Sequence, residues 1–244
     1  MKNTWIIGIF CLLTACNLNG QWGKKIKGNG SRQTETREVG TYDAITVSHI
    51  FTVYLVSGAE GTIRIEAEEN LMEYIHTDVS GDELKIRVER GVQLQPSREF
   101  RKEGIRIWVP VESVNEVSAS GASDLIGETA LTAERFEINI SGAADAELDI
   151  AADFLRVQLS GASELRLQGS AETLEIEGAG ASDLDAYGLT ARHVDARLSG
   201  SSDADVTAKE SLKARVSGAG GLSYKGDPPR LESKASGAGH IRKG

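Results

Sequence analysis

Cysteine, proline and aromatic residues are scarce in this chain, with two Cys, four Pro and 5% aromatics among 244 residues. Both cysteines, Cys11 and Cys16, fall at the start, so the body that follows has neither a disulfide nor a thiolate metal site. The four histidines, His49, His76, His193 and His240, lack the close spacing of paired metal ligands. No glycine-rich loop leads into a helix, which removes the usual anion cradle of nucleotide-binding proteins. Positive charge is the minority, Lys and Arg numbering 27 against 36 Asp and Glu, for a net charge of −9. An acidic body repels phosphate backbones, so nucleic acid is not expected as a partner.

Long apolar runs are also missing. The run from Trp5 to Leu13 covers nine residues, far fewer than the roughly 20 that span a bilayer. Preceded by Lys2 and followed by Leu13-Thr14-Ala15-Cys16, it reads as a secretory signal ending in a lipobox. Residues 1–15 are therefore expected to be removed, with Cys16 taking lipid and tying the protein to a membrane of the cell envelope, the outer membrane being the expected one. Residues 16–33, rich in Gly, Asn and Lys, read as a flexible tether. Residues 34–244 form the expected domain: irregular coils and a cap over 34–110, then a regular repeat over 111–244.

That repeat is what the sequence has in abundance. Ser120-Gly121-Ala122-Ser123-Asp124 returns six times in variant form, with glycines at Gly121, Gly142, Gly161, Gly180, Gly200, Gly218 and Gly237. Successive glycines are 21, 19, 19, 20, 18 and 19 residues apart, the fixed period of a stacked-coil architecture. Before each glycine the apolar residues alternate, as in Phe136, Ile138, Ile140 and Leu155, Val157, Leu159, which is the period of a strand. A unit of about 19 residues cannot bury its own apolar face, so each strand must stack on its counterpart in the next coil. The expected fold is an all-β, right-handed parallel β-solenoid.

Stacking predicts two inner columns, Phe136, Leu155, Leu174, Val194, Leu212, Leu231 and Ile138, Val157, Ile176, Ala196, Ala214. It also predicts an outer column, Glu137, Arg156, Glu175, Asp195, Lys213, Glu232, in which charge sign changes at four of five steps. The glycines fit a tight corner needing positive φ or close backbone approach, with the neighbouring Ser and Asp available to bond local backbone groups. Between Gly91 and Gly104 the strand pattern breaks around Pro96 and a cluster of charges, as a projecting loop would.

Chemistry-bearing groups are few. The corner carboxylates Asp124, Asp145, Glu164, Asp183 and Asp203 form a ladder that could hold a cation, but the corner lacks the Gly-Gly-x-Gly-x-Asp spacing of calcium-binding repeats, which favours a turn or solvated role. Arg156, Arg166, Arg192, Arg197, Lys213 and Arg215 face outward but interleave with Glu175, Glu177 and Asp195, as in a self-neutralising wall. No pair of carboxylates departs from the repeat as a glycosidase or lyase would require, so no catalytic residue, cofactor or metal is assigned. Tyr54, Phe100, Trp108 and Tyr187 remain as aromatic platforms for a sugar.

The tandem Ser-Gly-Ala-Ser-Asp corners, with Ile63-Arg64-Ile65-Glu66-Ala67-Glu68-Glu69-Asn70-Leu71 and Gly81-Asp82-Glu83-Leu84-Lys85-Ile86 upstream, resemble the "putative auto-transporter adhesin, head GIN domain" family over about residues 38–226. The resemblance implies a superhelix similar to pectin-lyase-like folds, an envelope protein of the Bacteroidetes type and a role in adhesion. It supplies no catalytic motif to carry over, and Ala179, Gly221 and His240 depart from the corner pattern. Together these features point to a non-catalytic binding module for a surface glycan or protein. The alternatives are a structural or regulatory component that recognises a protein partner, and a polysaccharide-active enzyme on the same scaffold. The last coil leaves an open edge that also permits a homo-oligomer, although Arg242 and Lys243 oppose pairing.

Overall fold

The computed structural model describes residues 23–100 and 102–244; the expected signal peptide, Cys16 and residues 17–22 lie outside these. Nineteen strands follow one another among the described residues. The N-terminal portion holds β1 (Lys24–Lys27), β2 (Arg32–Glu38), β3 (Ala44–His49), β4 (Phe51–Ser57), β5 (Thr62–Glu68), β6 (Ile75–Ser80), β7 (Glu83–Val88), β8 (Val92–Gln95) and β9 (Ile105–Val111). The repeat holds β10 (Glu116–Gly121), β11 (Asp124–Gly127), β12 (Leu131–Ile140), β13 (Asp145–Leu159), β14 (Glu164–Gly178) and β15 (Asp183–Gly200), then β16 (Asp203–Gly218), β17 (Gly221–Lys225), β18 (Arg230–Gly237) and β19 (His240–Lys243). The repeat winds as a parallel β-solenoid with coils about 19 residues apart.

Two faces enclose one interior. The face before the glycine corner runs β7, β3, β10, β12 and then the second halves of β13 to β16, ending on β18, all parallel. The face after the corner runs β9, β4, β11 and the first halves of β13 to β16, then β17 and β19. Register follows the columns expected from sequence. Phe136, Leu155, Leu174, Val194, Leu212 and Leu231 pair in succession, and so do Glu137, Arg156, Glu175, Asp195, Lys213 and Glu232. The inner columns are buried as far as Leu212 and Ala214. Leu231 breaks the rule at 46% exposure, because β18 lies in the last coil among the described residues and only β16 lies beside it on this face.

At the other end the parallel order gives way. β6 pairs antiparallel with β7, and β2 and β5 add antiparallel strands beyond β9. A short 3-10 helix, Glu69–Tyr74, places Leu71 and Met72 over the end of the interior. Burying side chains of this size is worth about 1.5–3 kcal/mol each, and the cap spares the first coil the exposure seen at Leu231.

Two expectations need correction here. The segment read as a tether is partly built into the fold, since β1 pairs in parallel with β8. Ile26 packs against the core, and the Asn70 amide donates to the Lys27 carbonyl at 2.7 Å while its oxygen accepts from the Asn29 amide at 2.9 Å. Likewise the stretch from Gly91 to Gly104 is not a free projection, because β8 lies within it and Leu94 and Phe100 are buried. The period of β1 was unreadable because only Ile26 in Lys24–Lys27 is apolar.

A buried carboxylate fastens this region. Glu68 is 1% exposed and accepts from the amides of Gly30 at 2.6 Å and Ser97 at 2.9 Å, one partner on each side of the β1–β8 pair. Glu68→Ala would leave both amides without an acceptor, at a cost of about 1–3 kcal/mol per group. Hydrogen exchange should then quicken over residues 24–31 and 92–97 while residues 160–200 keep their protection. Unchanged protection over 24–31 would mean that Glu68 does not hold this segment.

Candidate binding groove

The corner is built by a column of backbone contacts. All seven corner glycines have φ between +74° and +112°. A Cβ on any of them would lie within 3 Å of the carbonyl oxygen of the corner before it. Into that space each following amide donates, Ala143 to Gly121, Ala162 to Gly142, Ala181 to Gly161 and Ser201 to Gly180, all at 2.7 Å. Both reasons for glycine thus hold at the same position, positive φ and close approach.

The column starts one coil earlier than the repeat suggests. Gly121 stacks on His49, whose carbonyl accepts from the Ala122 amide at 2.6 Å. His49 has φ of 89° and is the only non-glycine residue with positive φ among those described. Ser48-His49 is therefore a cryptic first corner, hidden from sequence by the histidine and by the long N-terminal insertion before Gly121.

Side-chain parity at the corner differs from the simple expectation. The serine two residues past the glycine points inward, and Ser123, Ser163, Ser182 and Ser202 are buried. Ser123 and Ser202 donate to the carbonyls of Ser120 and Ser199 at 3.0 and 2.9 Å, and Ser182 donates to the Ser202 hydroxyl at 3.2 Å. The carboxylates one residue on, Asp124, Asp145, Glu164, Asp183 and Asp203, stack in register along the outside. Asp124 accepts from the Thr52 hydroxyl, Asp145 accepts from the Glu164 amide at 3.2 Å, and Glu164 pairs with Arg166. Among the described residues no group of three or more His, Cys, Asp or Glu is arranged to hold a metal ion.

On the other side of the corner lies a groove of about 850 Å³ that runs along the coils. Two outward columns line it. Next to the glycine stand Ser120, Ser141, Ser160, Ala179, Ser199, Ser217 and Ser236; two residues earlier stand Ser118, Asn139, Gln158, Glu177, Arg197, Arg215 and Lys234. Small side chains in the first column leave the space, and longer ones in the second wall it. The hydroxyls of Ser120, Ser199, Ser217 and Ser236 donate to carbonyls of the preceding coil at 3.2–3.5 Å. Sequence reading missed the groove because it weighed each column for charge and not for size.

Most outward cations are paired, as the interleaved charges suggested. Arg156 meets Glu175 at 2.9 Å, Lys213 meets Asp195 at 3.2 Å, and Arg192 bridges Glu172 and Glu210 at 2.9 and 2.5 Å. The hydrogen bond to Glu175 raises the Arg156 guanidinium above its ordinary pKa, and that from Arg192 holds the Glu210 carboxyl below its own. His193 sits beside the same pair, 3.9 Å from Glu172 and 3.7 Å from Glu210.

The aromatic candidates do not form an open platform. Tyr54 and Trp108 stack on each other at 5.3 Å and 16°, and the Arg64 guanidinium lies 3.7 Å from the Trp108 ring centre. Phe100 is buried beneath Arg32, and Lys225 covers the Tyr187 ring at 3.8 Å. A sugar would need one of these faces free.

A family model described as "Putative auto-transporter adhesin, head GIN domain" matches residues 41–228. Among solved structures, a putative adhesin from Bacteroides fragilis NCTC 9343 is similar with a TM-score of 0.82 at 23% identity, covering 89% of this chain and 99% of that one. A putative lipid binding protein from Parabacteroides distasonis ATCC 8503 gives 0.72 at 24% identity, covering 90% and 99%. A putative adhesin from Parabacteroides merdae ATCC 43184 gives 0.68 at 20% identity, covering 90% and 99%. At these identities the likeness concerns the fold. No curated protein matches.

The close corner stack makes a paired test. Gly81 has φ of +66° and open space where a methyl would stand, whereas Gly161 has φ of +82° and the Gly142 carbonyl in the way. Gly81→Ala should cost only backbone strain, about 1–2 kcal/mol. Gly161→Ala should add overpacking of about 1–3 kcal/mol. Equal losses in urea melts would mean that the corners are not in close contact.

Proposed function

Since the chain belongs to the auto-transporter adhesin head GIN domain family, we propose that it is a non-catalytic adhesion module of the cell envelope, held to the outer membrane by lipid on Cys16. The observation that carries this reading is the groove that crosses the coils: a straight, repetitive surface on a rigid scaffold offers one set of polar contacts per coil, and many weak contacts in register give useful avidity. The lipobox before Cys16 supports the anchor. No helix among the described residues is long and apolar enough to cross a membrane.

A second reading, a component that binds a protein partner, is favoured by one feature. β18 is exposed along its whole length and Leu231 stands 46% exposed on it, an edge to which another strand can add.

Both parts of the leading reading are measurable in the native bacterium. Labelled fatty acid should enter the wild-type protein and not Cys16→Ala, which should leave the membrane fraction. Cells lacking the protein should adhere more weakly to host-cell or matrix-coated surfaces, with recovery on complementation. Unchanged adhesion in the deletion strain, together with a single crosslinked protein that is lost on truncating β18 and β19, would replace the adhesion reading with the second one.

A further inference from the structure

The groove is not electrically uniform. Along its outer wall the residues run from neutral, Ser118, Asn139 and Gln158, to charged, Glu177, Arg197, Arg215 and Lys234. Arg197 is neutralised by Asp195 at 3.1 Å and Glu177 at 3.6 Å. Arg215 pairs in register with Arg197 on one side and Lys234 on the other, so three cations stack on successive coils. Neither Arg215 nor Lys234 has an ion pair or hydrogen bond among the described residues. Like charges directly opposite on neighbouring strands are destabilising, and on this wall the neighbouring step from Glu177 to Arg197 joins opposite signs. A chain of net charge −9 thus keeps two unpaired cations, Arg215 and Lys234, side by side at one end of this groove.

We infer that the groove binds an extended acidic polysaccharide, its carboxylates on Arg215 and Lys234 and its hydroxyls on the serine column. This rests on the binding-module reading and names the ligand class for the same site. Two features select the class. The serine hydroxyls spend their protons on the preceding coil, which leaves their lone pairs to accept from sugar hydroxyls. From β13 to β16 the strands beneath the groove are paired on both sides, so a peptide could join as a strand only at the β18 edge and not along the groove. Coils repeat at about 4.8 Å, a spacing on the scale of one sugar residue, which lets one polymer meet successive cations.

The full chain, reconstituted in phosphatidylcholine vesicles, would be titrated with polygalacturonate, alginate and hyaluronate, and with methyl-esterified pectin, poly-glutamate and phosphatidylglycerol vesicles for comparison. At least one carboxylated glycan should bind, its affinity falling with added salt, and the esterified polymer should bind at least tenfold more weakly. Arg215→Glu with Lys234→Glu should weaken binding tenfold or more with no fall in melting temperature. The charge-matched control Lys102→Glu with Lys209→Glu, at two exposed lysines outside the groove lining, should leave it intact. The inference is overturned if none of the three glycans binds, if the control weakens binding equally, or if poly-glutamate or phosphatidylglycerol binds as tightly. Cells that still adhere through a protein whose Arg215 and Lys234 reversals change nothing would overturn the groove assignment and leave the adhesion reading standing. A deletion strain with no adhesion defect on any surface would remove both.

Discussion

The structure depends on one hydrogen bond made again at every coil. An amide just past each corner glycine reaches the carbonyl of the corner residue below at 2.6–2.8 Å. Each such bond contributes only about 0.5–1.5 kcal/mol net, but it also sets the height and phase of the coil. With the corner fixed, alternation along the strands decides which side chains enter the interior, and Leu155, Leu174 and Val194 fall on top of one another. The same geometry sets the small serine column beside the corner, and with it the groove. Fold and candidate site therefore share a cause, the absence of a Cβ at one position in each coil that stacks on the His49 corner.

Much of this was legible before any coordinates. The period of the glycines gave the coil length, and the alternation before them gave the inner columns residue by residue, including the charge ladder through Arg156, Glu175 and Asp195. What stayed hidden has a physical reason in each case. His49 carries a corner conformation that glycine normally marks, so the first corner left no signature. β1 is four residues with a single apolar side chain, and its place is fixed by Asn70 and Glu68, which lie far along the chain. The inward turn of Ser123, Ser182 and Ser202 follows from a parity that the alternating strands determine but that a polar residue type argues against.

Buried serines in an otherwise apolar interior illustrate the trade. A hydroxyl without a partner would cost about 1–3 kcal/mol, and Ser123 and Ser202 avoid it by bonding the carbonyl three residues back within their own corner. Ala144 fills the equivalent place without any such bond. The interior thus tolerates either residue as long as the volume is small, because the tight bend brings the two faces close together there.

The parallel pairing of β1 with β8 has a mechanical consequence. Any pull delivered through the N-terminus falls first on four residue pairs and on the Glu68 contacts behind them, well before it reaches the long strands of the repeat. That short segment can peel away while the coils stay wound. The molecule thus carries a yielding link in series with a stiff body, and a sudden tug would be absorbed at the base and spare the surface at the far end.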